Sequence, residues 1–216
     1  MNPLPARRRA VEALSLFSLI MGAYQGIGRH VPSSTTSPWW ATRWDAAIPF
    51  VPHAVWIYLG FYFGTFVITA IHLRDTSVFR AAMAAFLVNA SIAVPIFILW
   101  PAAYPRPVVD PALGLSETAV MLLQVNDPAT NTFPSLHVAN SVLCASALRR
   151  AGSPVWRGSA VLAACVAVSV LLVKQHWLAD VLGGVVCAAI STVVLRHAHT
   201  WLERRTRSSR RDPPVD

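Results

Sequence analysis

AVWIYLGFYFGTFVITAIH, residues 54–72, contains no Asp, Glu, Lys or Arg. As a helix rising about 1.5 Å per residue, it matches the ~30 Å hydrocarbon core of a bilayer. The turn LRDTSVFR then returns the chain into another apolar run, about 79–100, that closes on IFILW. Two such runs joined by a short charged turn predict a helical membrane hairpin. Composition extends the reading to the whole chain, which is 55% hydrophobic and 13% charged. Soluble domains carry about 25% charged residues.

Outward from this hairpin, four more segments have the same character. Residues 10–28 follow ARRR and precede no small-x-small cleavage site, so they are expected to form an uncleaved first span. A fourth span begins near Leu136 and ends at ALRR, a fifth covers 156–173 and a sixth 177–198. Gly60 and Gly64 stand at GxxxG spacing, which favours close helix packing, and Pro95 is expected to kink the third span. The long connection 101–135 contains SETAVMLLQV, expected to form a short interfacial helix capped by Ser116. The expected fold is all-α: a polytopic bundle of six transmembrane helices. Residues 1–9 form an amino-terminal cytoplasmic segment, 10–200 the membrane domain, and 201–216 a basic, disordered cytoplasmic tail.

Charge orients the bundle. Fourteen arginines fall on the amino-terminal side of the predicted spans, and only Arg29, Arg43, Arg106 and Lys174 on the other. Basic loops stay in the cytoplasm, which places both termini there. The basic residues lie in short loops and not on one folded face, so nucleic acid is not an expected partner. Cys144, Cys165 and Cys187 fall in apolar runs with no CxxC pair, which gives neither a disulfide framework nor a zinc site.

The same orientation delivers Arg106, Ser135, His137, Lys174, His176 and Asp180 to the extracytoplasmic face. His176 and Asp180 are four apart at a helix start and share a face. The carboxylate can fix the imidazole tautomer and leave a free lone pair, a nucleophile or base at neutral pH. His137 can supply a proton to a leaving group. Arg106 and Lys174 suit oxyanions, and backbone N–H groups just past Pro134 can face the same anion. Two histidines, one carboxylate and two cations describe phosphoryl transfer without a metal.

At these positions YPRP, NTFPSLHVA and VSVLLVKQHWLAD resemble the three motifs of the type 2 phosphatidic acid phosphatase superfamily, KxxxxxxRP, PSGH and SRxxxxxHxxxD. WDAAIPFVPHAVWIY also resembles the branch containing inositol phosphorylceramide synthases. The resemblance implies that His176 attacks phosphorus to form a phosphohistidine, with Asp180 orienting it. It implies that His137 protonates the departing alkoxide and that Arg106, Lys174 and Ser135 bind phosphoryl oxygens. Leu99, Leu136 and Val170 depart from the motifs, and Lys174 is expected to restore one missing charge. The implied function is a metal- and cofactor-independent lipid phosphate phosphatase of the cell membrane, its partners a lipid phosphate and the bilayer. Phosphoryl transfer to an alcohol acceptor is the alternative, and a non-catalytic transporter or scaffold a third reading. A His–His–Asp metal site is the rival at the same residues, disfavoured by the adjacent Arg and Lys.

Overall fold

The computed structural model describes residues 4–31, 37–127 and 129–211, with all of their side chains except those of 62, 63 and 206–211. Residues 1–3 of the amino-terminal segment, 32–36 of the first outer loop and 212–216 of the tail lie outside the described residues. Every regular element among the described residues is helical. The order is α1 (Ala6–His30), α2 (Arg43–Ala47), α3 (Val55–His72), α4 (Thr76–Leu99), α5 (Leu115–Asn126), α6 (Leu136–Arg150), α7 (Trp156–Leu172) and α8 (Leu178–Arg211). The predicted spans correspond to α1, α3, α4, α6, α7 and α8. The α5 helix starts one residue before Ser116, with Gly114 at the cap, and Ser116 instead accepts a bond from Trp56 Nε1 (3.0 Å).

The spans are not equivalent. Among the described residues α1, α3 with its preceding turn, α4 and α8 are long and apolar enough to cross a membrane, and α7 is a shorter apolar helix. The α6 helix, at 15 residues, is roughly 22 Å long. Eleven of its residues are buried, so it forms the centre of the bundle, packed by α3, α4, α7 and α8. That position explains its modest hydropathy: its neighbours are protein groups, and its polar atoms find partners. Asn140 Oδ1 accepts from Asn89 Nδ2 (2.9 Å), and Asn89 Oδ1 accepts from Ser191 (2.6 Å), so one polar chain joins α6, α4 and α8. Away from α6 the outer surface is apolar, with Val67, Ile71, Leu87, Val168, Leu182 and Ile190 exposed. Such a continuous apolar exterior suits lipid.

Caps set the helix boundaries. Asp75 accepts from Ser77 N (2.7 Å) and Val78 N (3.1 Å) to start α4. Arg9 is buried and donates to Ala70 O (3.3 Å), which fixes the start of α1 against the end of α3. The tail departs from expectation. Residues 201–211 are not disordered but continue α8 to Arg211. Leu, Glu and Arg are good helix formers, and Arg205 stacks over Trp201 at 4.1 Å.

Glycines permit one decisive approach. A Cβ on Gly184 would come within 2.6 Å of Ser135 O and 3.0 Å of Val138 Cβ, and one on Gly183 within 2.7 Å of Phe133. The start of α8 therefore lies directly on the start of α6. Gly64 approaches Leu162 of α7 in the same way, whereas Gly60 faces open space. Gly184→Ala is expected to cost about 1–3 kcal/mol through overpacking and to lower turnover, because the clash is with backbone that cannot yield. Thermal unfolding and specific activity measured together check this, and a variant equal to the parent in both refutes the contact.

Candidate active site

The turn between α7 and α8 is built by backbone bonds. Gln175 N donates to Val170 O (3.0 Å) and Lys174 N to Leu171 O (3.1 Å), the Schellman pairing that closes α7. Lys174 takes the left-handed position, φ 57°, that usually goes to glycine. A lysine there costs of order 1 kcal/mol, and the turn it makes frees the next residue from the helix. His176 follows at once and is buried.

His176 sits between a carboxylate and a hydroxyl. Its Nδ1–H donates to Asp180 Oδ2 (3.2 Å), and the Ser135 hydroxyl donates to Nε2 (3.3 Å). Asp180 Oδ2 also accepts from Trp177 N (2.9 Å), so the carboxylate both orients the imidazole and caps α8. The Asp180 carbonyl accepts from Ser135 N (3.0 Å). Ser135 is the N-cap of α6, its Oγ accepting from Val138 N at 3.5 Å. His137 is the second residue of α6, its ring centroid 5.6 Å from that of His176. Tyr58 and Phe61 pack on His137 at 4.5 and 4.8 Å. Tyr58 in turn donates to Asp127 Oδ2 (2.7 Å), and Tyr24 of α1 donates to Oδ1 (2.8 Å). The two histidines, Asp180 and Ser135 thus form one buried cluster.

The cations lie in an adjoining cavity of about 460 Å³, whose walls include Arg106, Lys174, Tyr104, Trp177, Ala46 and Phe50. Each is partly engaged in holding the walls. Arg106 Nη1 donates to Gln124 O and Asp127 O, both at 2.8 Å, which secures the end of α5. Lys174 Nζ donates to Asp45 O (3.1 Å) and Ile48 O (2.5 Å). Burial lowers the Lys174 pKa, against the pull of the Asp45 carboxylate. Burial raises that of Tyr104, and the charges of Asp45 and Asp180 push it the same way. Donor capacity is left over: Arg106 Nε and Trp177 Nε1 are both buried without a partner. On the other side of the cluster a narrow apolar cavity of about 30 Å³ is bounded by Phe17, Ile20, Phe61, Leu136 and His137. Among the described residues no group of three or more His, Cys, Asp and Glu is placed to hold a metal.

An imidazole held by a carboxylate, a second imidazole beside it and an adjacent pair of cations are groups able to attack, protonate and hold an anionic substrate. A family model described as the PAP2 superfamily matches residues 36–194. The chain belongs to the PAP2 superfamily. Members are generally phosphatases or phosphotransferases, which supports an enzyme at that coarse level. Neither the curated proteins nor the solved structures contain a match. The matched span includes every motif residue of this PAP2 chain together with α2 and the first outer loop from residue 36 onward.

One residue of that loop was not foreseen as part of the site. Asp45 is buried, accepts from Thr42 N (2.8 Å) and Thr42 Oγ1 (2.7 Å) through one oxygen, and from Leu178 N (2.7 Å) through the other. It caps α2 and α8 together and fixes the turn that carries His176. Its sequence signal was the T-x-x-D capping pattern at 42–45, which gives no hint of the second helix. Asp45→Ala is expected to destabilise the protein by about 1–2 kcal/mol and to reduce turnover. Asp45→Asn, which keeps the acceptor for Leu178 N, is expected to retain most of both. Denaturation and activity assays on the pair check this, and equal losses in the two variants would count against the capping role.

Proposed function

We propose that this PAP2-superfamily protein is an integral membrane lipid phosphate phosphatase acting through a phosphohistidine, without a metal. The observation that carries the reading is the 5.6 Å separation of the His137 and His176 rings, with Asp180 behind His176. His176 Nε2 attacks phosphorus and an N–P bond forms. The P–O bond to the lipid alkoxide breaks, and that oxygen takes a proton from His137. Water then attacks phosphorus, its proton passes to His137, and the N–P bond breaks. Ser135, whose hydroxyl donates to Nε2, moves that hydroxyl to a phosphoryl oxygen. Arg106, Lys174 and the Trp177 indole N–H face the remaining oxygens from the adjoining cavity. Arg106 and Lys174 at the walls of that cavity support an anionic occupant there.

In this reading the chain crosses the cell membrane six times, with both termini in the cytoplasm and the histidines on the extracytoplasmic face, an orientation the arginine asymmetry supports. A second reading, transfer of the phosphoryl group to an alcohol, is favoured by one observation. The loop that resembles the transferase branch contributes Ala46 and Phe50 to the cavity and Asp45 to its frame.

Incubation with labelled lipid phosphates, with and without alcohol acceptors, separates the two readings. Free phosphate is the expected product, and an acceptor-dependent lipid product would establish transfer instead. His176→Ala should abolish turnover and the covalent label; an unaffected function would point to a non-catalytic transporter. His137→Ala should slow release of alkoxides by about 10²–10⁴-fold and of nitrophenolate far less. Equal slowing of both would remove His137 as the acid. A chelator should leave the rate unchanged, and a loss restored by a divalent ion would overturn the metal-free mechanism.

A further inference from the structure

The end of α6 remote from His137 holds a second, larger cavity that the phosphatase reading does not use. It measures about 590 Å³ and lies between α6 and α8. Arg149, Arg150 and Arg196 line it, with Thr192, His199 and Glu203. The rise of α6 from His137 to Arg149 sets it roughly 18 Å from the histidine cluster.

Topology alone accounts for arginines at this end of the bundle, but it requires only that they be solvated. The cavity is more built than that. His199 follows Arg196 in a basic segment where solvent exposure would be expected, yet it is buried. Arg150 Nε donates to His199 Nδ1 at 2.7 Å, so in the neutral ring the proton lies on Nε2. That Nε2–H is buried without a hydrogen-bond partner, the nearest acid, Glu203 Oε1, standing 3.5 Å away. Its side chain is 10% exposed, against 45% for Glu203. The other acid within electrostatic reach of His199, Asp75, is engaged with the start of α4. Among the described residues none of the three arginines forms an ion pair with a carboxylate. Arg149 only stacks on Trp156, at 5.4 Å. Three guanidiniums without a carboxylate partner therefore border one cavity, opposed by a single half-exposed carboxylate, Glu203, that stands 3.5 Å from the His199 ring nitrogen.

Guanidiniums bind phosphate oxygens in pairs through parallel N–H bonds. We infer that this cavity is a second phosphate-binding site, for the phosphate of a phospholipid headgroup or of a soluble phosphate ester. Arg149 and Arg196 hold the oxygens, and Arg150 orients His199 as a further donor. The site is independent of the histidine chemistry and survives its failure.

The test is equilibrium binding to the full chain in detergent, read by native mass spectrometry. Inorganic phosphate forms one arm, and phosphatidylglycerol against phosphatidylcholine the other. The Arg149→Gln/Arg196→Gln double variant leaves the Arg150–His199 pair and the catalytic cluster intact. Its dissociation constant should rise by about tenfold or more per arginine, the scale of a charge-assisted hydrogen bond. Glu203→Gln removes the opposing carboxylate from a half-exposed position and should tighten binding, which tests the site even if the double variant does not fold. Binding of inorganic phosphate that is lost in the double variant supports a soluble ligand. Selective binding of phosphatidylglycerol that is lost in the same variant supports a lipid headgroup. The inference is overturned if neither probe binds, or if the double variant and Glu203→Gln bind as the parent does.

Discussion

Asp180 is the residue on which the rest of the site depends. One of its carboxylate oxygens accepts from both the His176 imidazole and the Trp177 amide, and its main-chain carbonyl accepts from Ser135 N. A single residue therefore fixes the imidazole, starts α8 and ties the first turn of α8 to the residue that caps α6. Its burial in a low-dielectric interior makes these bonds strong and makes the loss of any one of them expensive. Gly184 is the steric condition for the arrangement, because a Cβ there would meet the main-chain oxygen of Ser135 and separate the two helix starts.

Around this joint the protein invests its loops in rigidity. Arg106 and Lys174 each donate to two main-chain carbonyls. A cation that holds a wall in place is also a cation whose position is fixed before any ligand arrives. Such preorganised charge stabilises an anion without reorganising as the anion forms. The Tyr58–Asp127–Tyr24 chain has the corresponding effect behind His137, setting the plane of the aromatic ring that packs on the imidazole.

Much of this was legible in the chain. Uncharged runs mark α3 and α4 because length and composition suffice, and the i, i+4 spacing of His176 and Asp180 states their contact outright. The central placement of α6 was not legible: a short, moderately apolar run has the same composition whether it meets lipid or four other helices. Asn89 and Tyr24 had no readable pattern for a related reason. Their partners, Asn140 and Asp127, are 51 and 103 residues away, and no local period records a tertiary hydrogen bond. Asp45 was half legible, since its role in α2 is local and its role in α8 is not. The burial of His199 was not legible because a basic, polar surrounding suggests solvent, whereas the turn of α8 puts its ring against Arg150.

The two ends of the bundle show how one charge pattern can have two physical meanings. Insertion requires only an excess of arginine on one side, with no constraint on which neighbours each side chain meets. At the start of α1 that freedom is visible: Arg8 pairs with Glu12 in the open while Arg9 turns inward to the carbonyl of Ala70. Where α6 ends against α8, three arginines instead converge on one concave space beside a buried ring, and carboxylates do not neutralise them. Mutual repulsion would spread such groups apart in solvent, so their convergence requires a scaffold that holds them or an anion that compensates them. The Arg150–His199 bond supplies part of the scaffold, and a phosphate would supply the compensation.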